Sequence, residues 1–427
     1  MLDIKLIREN PGIIKKSLEK RKDNEKIQWL SKLIKSDENY LKLKQEVESL
    51  RHKRNLVSQE INKLQKQGKE FKDKIKEIKE IPKKIKTKEE TLIKTKKEID
   101  FYMMRLPNIL HESVPYGKDE SENQEIKTNG KIPQFNFKLK SHGELIETLQ
   151  IGDFKKAREV TGAGFHYMFN ELALLNMALM QFSIDHLLKK GFKLVIPPLM
   201  LNRKSYEGVT DLQDFENVMY KVDKEDLYLI ATSEHPIAAL YSNEIIPEDK
   251  LPIKICGLSP CFRKEIGSRG VDTKGLFRTH QFWKVEQFIF CKPEDSWHYH
   301  EELQKNSEEL YKELKLPYRV VNICTGDIGI VAAKKFDIEL YFPRRKQYQE
   351  VGSNSNCTDY QARRLNIKFI DKNNDKALIH TLNNTAIATS RTLVALLENY
   401  QQKSGEIKIP ATLQKYTGFK KIELKRQ

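Results

Sequence analysis

No run of about 18 consecutive apolar residues occurs in the 427-residue chain, so neither an ordinary membrane-spanning helix nor a membrane partner is expected. The amino terminus, MLDIKLIREN, lacks an apolar core and carries acids, unlike a secretion or organelle-import leader. Cysteine is scarce, at positions 256, 261, 291, 324 and 357, with no Cys-x-x-Cys pair. Such thiols read as the reduced cysteines of a cytoplasmic protein, and no structural zinc is expected. No G-x-G-x-x-G follows a strand-like run, and no G-x-x-x-x-G-K-[S/T] exists, which disfavours a doubly wound nucleotide fold and a P-loop. Apolar residues make up only 39% of the chain and charged ones 32%, so part of it is not core.

Positive charge is abundant and uneven. Lys and Arg number 76 against 60 Asp and Glu, a formal +16. Residues 1–110 hold 30 Lys and Arg and 18 Asp and Glu, a net of +12, which leaves +4 for the rest. A basic segment joined to a nearly neutral body suits a polyanion contacting the N-terminal part, although a solvated lysine-rich helix face has the same composition.

In that segment apolar positions step by three and four. Leu43, Val47, Leu50, Val57, Ile61 and Leu64 run with Arg54 as the polar intruder. After QGKE (67–70) come Phe71, Ile75, Ile78, Ile85, Leu92, Ile99, Met103 and Leu106. This is a coiled-coil seam, and the short break folds it into an antiparallel hairpin. Helices of roughly 35–40 residues would make an arm on the order of 50–60 Å long at about 1.5 Å per residue. Pro82, Glu89 and Lys96 fall on the second seam, and Pro82 is expected to kink its helix. A dimerisation coil would show the same rhythm. A hairpin satisfies its own seam and frees its basic outer faces.

PNILHESVPYG (107–117) reads as a linker, giving expected domains of residues 1–115, helical, and 116–427. Beyond residue 160 or so a helix near 170–190 leads into GFKLVIPPLM, and strand-like runs follow at 227–231, 253–258, 285–291, 318–323 and 337–342. A Leu- and Ala-rich helix closes at 389–402. Hairpin-like turns, as at 265–276, favour an antiparallel sheet flanked by helices, and the class is α+β.

The chemistry concentrates in FRKEIGSRGVDTKGLFRTHQFWKVEQF (262–288). Strand alternation puts Phe262 and Lys264 on one face and Arg263 and Glu265 on the other. A guanidinium there can fork onto a phosphate or carboxylate, and Phe282 offers a ring for stacking a base. Taken alone, Arg263 and Glu265 would equally make a cross-strand ion pair.

The stretch resembles motif two of class II aminoacyl-tRNA synthetases, in the form of seryl-tRNA synthetases, and the resemblance extends over nearly the whole chain. MLDIKLIRENP is similar to the family's start, GFKLVIPPLM with Pro198 to motif one, and ATSEHP to its Thr-x-Glu. EVGSNSNCTDYQARRL and HTLNNTAIATSRTLVALLENYQ resemble the approach to motif three and motif three itself, in archaeal or eukaryotic wording. Thr385 stands where serine is usual, and Ser390 replaces the glycine before Arg391.

The resemblance implies serine activation by ATP to seryl-adenylate, then transfer to the 3′ end of a serine tRNA; a selenocysteine tRNA is left open. Arg263 would hold the α-phosphate and the substrate carboxylate. Arg278 and Arg391 would clamp the outer phosphates, with Phe282 on adenine and the turn closing over the triphosphate. Lys264, Glu265, Thr279, His280, Gln281, Val351 and Gly352 would complete the ATP-binding stretches. Glu350 and Ser353 would hold Mg2+ through hard oxygens. Thr232, Ser233, Glu234, Glu286 and Thr385 would bind serine, hydroxyl hydrogen bonds being the strong way to reject analogues that lack them. The coiled arm would bind the tRNA, and motif one implies a homodimer. Duller roles exist for Thr232 as a helix cap and for Glu286 as an ion-pair partner. A non-catalytic, RNA-binding paralogue is the alternative, and retention of the motif arginines and Glu286 argues against it. Prolyl and threonyl types would append an anticodon domain after motif three. The zinc-dependent methanogen type has a different N-terminal domain.

Overall fold

The computed structural model describes residues 1–210, 218–265 and 275–424. The chain divides into two compact units, Met1–Pro107 and Asn108–Gln427.

The first unit is helical. Ile4–Glu9 and Pro11–Lys20 precede two long helices, Asn24–Lys66 and Lys72–Met103. The first long helix has 43 residues, more than expected, and the second 32. Asp23 accepts from Lys26 N at 3.0 Å and caps the first, relieving one of the amides left open at a helix start. The helices pair through Val47, Val57, Ile81 and Ile85, with Leu50, Ile61 and Ile78 packed alongside. Pro82 lies inside the second helix, which runs on through it. The polar seam position Glu89 turns to Arg51 of the other helix, at 2.6 Å. Lys53–Glu77 and Lys74–Glu60, both at 2.7 Å, and Lys88–Glu46 also cross between the helices.

The second unit begins earlier than the 115/116 boundary suggested by composition, because the expected linker is tied into it. Asn108 N donates to Ile330 O at 2.7 Å and His111 N to Ala333 O at 2.9 Å. Leu110 and Val114 join a small core with Val321, Ile323 and Ile328.

Its frame is one eight-stranded sheet. In chain order the strands are β1 (Gln124–Asn129), β2 (Lys193–Val195), β3 (Ile253–Phe262), β4 (Gln281–Cys291), β5 (Tyr318–Asn322), β6 (Lys334–Phe342), β7 (Gln347–Asn356) and β8 (His380–Ala388). Their spatial order is β1-β5-β6-β7-β8-β4-β3-β2, antiparallel throughout except for β2 on β3. The turn expected at 265–276 lies largely outside the described residues.

Alternation on β4 divides the unit. Val285, Ile289 and Cys291 face a core built with helices Asn170–Lys189, Ser296–Glu313 and Thr389–Tyr400. Phe288 and Phe290 face a second core with Tyr206, Ile237 and Ala362. The even-numbered residues nearer the start of β4, namely Phe282, Lys284 and Glu286, line an open cleft.

The arm seam offers a direct test. Ile85 is buried and Ile93, on the same helix, is 58% exposed. Ile85→Ala should weaken the hairpin by about 2–4 kcal/mol, and Ile93→Ala by less than about 0.5 kcal/mol. Hydrogen exchange of amides in both long helices should speed up in the first variant only; equal behaviour would contradict the seam.

Candidate active site

The cleft encloses about 460 Å3, within the range of small-molecule sites. At its inner end, on the central strand β4, Lys284 and Glu286 form a buried ion pair, 5% and 1% exposed. Register sets Glu286 between Gly257 of β3 and Thr385 of β8. Thr385 Oγ1 donates to Glu286 Oε2 at 3.4 Å and accepts from Lys284 Nζ at 3.5 Å. Thr385 sits at a register shift, where a bulge re-aims side chains. Ser307 Oγ pins it from the opposite face by donating to Thr385 O at 3.1 Å.

Glu234 completes this end from the short helix Glu234–Ala238. Its Oε1 accepts from Gln361 Nε2 and Asn383 Nδ2, both at 3.1 Å. Burial, with Glu286 as a like charge nearby, pushes its carboxyl up to about 7 against the opposing Lys284, Gln361 and Arg263. Burial likewise raises Glu286, opposed by Lys284. Thr232 Oγ1 accepts from Glu234 N at 3.2 Å, so Thr232 lines the cleft and caps the helix at once. Ser233 turns away, donating to Gly257 O at 3.3 Å. A Cβ at Gly257 would lie 2.7 Å from Ser233 Oγ, so only glycine lets that turn sit against β3.

The outer end is cationic. Arg263 has its guanidinium carbon 5.3 Å from the Phe282 ring centre and donates to Ala231 O at 3.4 Å. Arg278 lines the cleft and is exposed. Arg391 donates to Glu350 O at 2.5 Å and lies 3.4 Å from its Oε2. Glu350 is 47% exposed, and Arg391 and Lys335 beside it hold its carboxyl below the usual carboxylate range. Ser353 Oγ donates to Glu350 Oε1 at 3.1 Å. Thr279 is buried in the wall, its hydroxyl without a partner among the described residues.

Of the residues expected to bind ATP, Arg263, Glu265, Arg278, Thr279, Phe282, Glu350, Val351, Gly352, Ser353 and Arg391 line this cleft; Lys264, His280 and Gln281 do not. Lys264 N donates to Val218 O at 2.9 Å. His280 Nδ1 sits 2.8 Å from Arg263 O, clasping the chain that carries that guanidinium. Gln281 lines an adjoining apolar cavity with Met177, Met180 and Trp283, to which Phe282 also contributes. Lys284, His235 and Asn383 line the cleft without having been singled out from sequence. Period-two spacing from Glu286 and Thr385 was the available signal for Lys284 and Asn383. His235 is kept neutral, its value pushed down to about 3 by burial and by Lys284 and Arg263.

One end of the cleft can therefore hold an ammonium and a hydroxyl, and the other a chain of phosphates. Among the described residues no group of three or more His, Cys, Asp or Glu side chains is placed to hold a metal ion. The oxygens of Glu350 and Ser353 still suit a hard cation that takes its other ligands from a substrate and water.

Comparison with known proteins agrees in both units. Residues 1–110 match the seryl-tRNA synthetase N-terminal domain, and residues 218–400 match the tRNA synthetase class II core domain (G, H, P, S and T). The serine–tRNA ligase of Methanospirillum hungatei is 52% identical over 424 residues, 99% of this chain and 100% of the other. The crystal structure of seryl-tRNA synthetase from Pyrococcus horikoshii complexed with ATP superposes with a TM-score of 0.95 at 48% identity, covering 100% of both chains. The cytoplasmic enzyme of Naegleria fowleri in complex with AMP superposes with a TM-score of 0.88 at 34% identity, covering 100% of this chain and 99% of that one.

Burial of Glu234 has a measurable consequence. Its ordinary value is 4.5 and its folded value about 7. The native state thus holds a proton that the unfolded chain releases in between, and the stability linked to this group is full below 4.5 and falls as pH rises through about 7. Glu234→Gln keeps an oxygen acceptor and removes the charge. It should raise the Tm of the substrate-free protein, by the equivalent of about 1–3 kcal/mol at pH 8. The gain should shrink towards zero near pH 4.5. A Tm difference that stays flat between those pH values would sink the assignment.

Proposed function

Because the chain belongs to the seryl-tRNA synthetase family, we propose a residue-by-residue account of how it activates serine with ATP and charges tRNA. The observation that carries the account is the division of one cleft into a carboxylate-and-hydroxyl end and a cationic end.

In the first step a carboxylate oxygen of serine attacks the α-phosphorus of ATP, and the bond to pyrophosphate breaks. Such a step needs charge neutralisation and in-line placement more than a general base. Arg263 neutralises the α-phosphate and the attacking carboxylate together, while Arg278 and Arg391 take the outer phosphates and Phe282 stacks on adenine. Glu350 and Ser353 would hold a magnesium ion, which when bound supplies further neutralisation at the phosphate oxygens. Glu286, kept in register by Lys284, accepts from the serine hydroxyl beside Thr385. Glu234 and the Thr232 hydroxyl receive the amine. In the second step the 3′-terminal ribose hydroxyl of tRNA attacks the seryl carbonyl carbon, and AMP departs.

A homodimer built on the motif-one face is part of the proposal. Leu174 and Met177 of the helix Asn170–Lys189, and Leu194 and Ile196 around the edge strand β2, are 42% to 71% exposed. Such an apolar patch on a sheet edge is costly unless covered. The five cysteines are all free and buried, in keeping with a cytoplasmic setting.

Glu286→Ala should leave ATP binding near normal and lower serine-dependent ATP–pyrophosphate exchange by at least ~100-fold, since a charged hydrogen bond lost in the transition state is worth about 3 kcal/mol or more. Near-normal exchange would return Glu286 to a purely structural role. The arm is tested separately. Replacing residues 35–100 by a short turn should leave seryl-adenylate formation intact and abolish tRNA charging. Charging by the full chain should weaken steeply with salt as lysine–phosphate contacts are screened. A shortened protein that still charges tRNA at the parent rate would reduce the arm to a structural coil.

A further inference from the structure

We propose that His142 is a positioning residue for the phosphate clamp, fixing the backbone from which Phe277 and Arg278 enter the cleft. The inference rests on the reading of Arg278 as a phosphate ligand, and His142 itself lies outside every motif that carried the family resemblance.

His142 opens the helix His142–Leu149, whose start is locked by a reciprocal Ser141–Glu144 capping box. Its Nε2 accepts from Leu276 N at 3.1 Å, and its Nδ1 lies 3.5 Å from Glu398 Oε1. Both side chains are buried. Leu276 lies before β4 begins, so its amide has no strand partner, and a buried N–H must find an acceptor elsewhere. Accepting that bond requires a lone pair on Nε2, which places the ring proton on Nδ1, towards Glu398. The fit admits no side chain at residue 275: Gly275 has φ +124°, and a Cβ there would lie 2.1 Å from His142 Nε2.

The strap bearing His142 is fastened to the helix Thr389–Tyr400 as well. Gln401, next after that helix, accepts from Lys140 N at 2.9 Å and donates to Lys140 O at 3.1 Å. Glu398 belongs to the helix that carries Arg391 in its first turn. Phe277 closes the circuit, packing edge-on against Phe342 at 5.3 Å, with the guanidinium carbon of Arg391 5.0 Å from its ring centre. One imidazole thus couples the chain leading to Arg278 with the helix bearing Arg391. An apolar residue of the same bulk would fill the space and leave the Leu276 amide unmet.

Two isosteres separate positioning from packing. Glutamine at 142 can place its oxygen near the Nε2 position, whereas asparagine reaches only the Nδ1 position. In pyrophosphate exchange, His142→Asn should raise KM for ATP about 10-fold, as expected for a lost buried hydrogen bond. KM for serine should change less than about 2-fold, and His142→Gln should restore KM for ATP to within about 3-fold of the parent. Arg278→Ala is the companion. Should it leave KM for ATP unchanged, the clamp reading itself has failed. Should it raise KM for ATP while His142→Asn does not, the positioning role is overturned. Equal loss of ATP and serine affinity in His142→Asn, or no rescue by glutamine, also overturns it. Where the asparagine variant does not fold, long-range 1H–15N spectra of the unaltered protein decide. A ring protonated at Nδ1 alone supports the proposal, and a proton on Nε2 overturns it.

Discussion

The Lys284–Glu286 pair is the constraint around which the second unit is built. Two charges withdrawn from water at the centre of a sheet are retained only where geometry and hydrogen bonds offset their desolvation. Here the offset comes from three strands in strict register. β4 supplies both charges two residues apart, β3 puts Gly257 beside Glu286, and β8 supplies the Thr385 hydroxyl. A one-residue slip of β4 would carry both charges into the core of the three long helices. The register shift at Thr385 and the Ser307 bond behind it serve the same geometry, since without them the hydroxyl would not meet Glu286.

The pair does not make the site comfortable. Glu234 is driven to about 7 by burial and by Glu286 nearby, and His235 is held neutral chiefly by burial, with Lys284 and Arg263 adding to it. Such an arrangement costs stability in the substrate-free protein, and an ammonium bound there would relieve the cost by matching the carboxylates. That is the usual trade between stability and function at a preorganised site. The outer end differs: Glu350 is already matched by Arg391 and Lys335, so its carboxylate is ionised before any ligand arrives.

Much of this was legible in sequence, and the exceptions have physical causes. The order of motifs announced the fold, and the family resemblance singled out Phe282 and Glu286, which the structure sets along the cleft from one strand, β4. Lys284 escaped notice because a lysine in a strand reads as a solvated residue until the register of β8 shows what lies opposite. Ser233 was grouped with its neighbours by adjacency, yet a helix start turns successive side chains in different directions, and Ser233 meets Gly257 while Glu234 enters the cleft. Gln281 is out of phase with Phe282 at the start of β4, and His280, just before the strand, has its ring turned to Arg263 O. The linker signal of prolines and glycine at 107–117 was real as irregular backbone. Composition could not reveal that Asn108 and His111 would bind the loop before β6.

The arm shows how charge pattern and packing cooperate. Solvent-exposed ion pairs contribute little stability, so the pairs made by Glu46, Glu60, Glu77 and Glu89 do not explain why the helices associate; the apolar seam does. Their effect is on where charge is displayed. Each draws an acid towards the flank of the seam and neutralises it against a cation of the opposite helix. The cations left over, in a segment with a net of +12, face water alongside exposed acids such as Glu48, Glu80 and Glu98, and outnumber them. A long hairpin that satisfies its own seam leaves an excess of cations on its outer faces, and a phosphate backbone is the partner such an excess attracts most strongly.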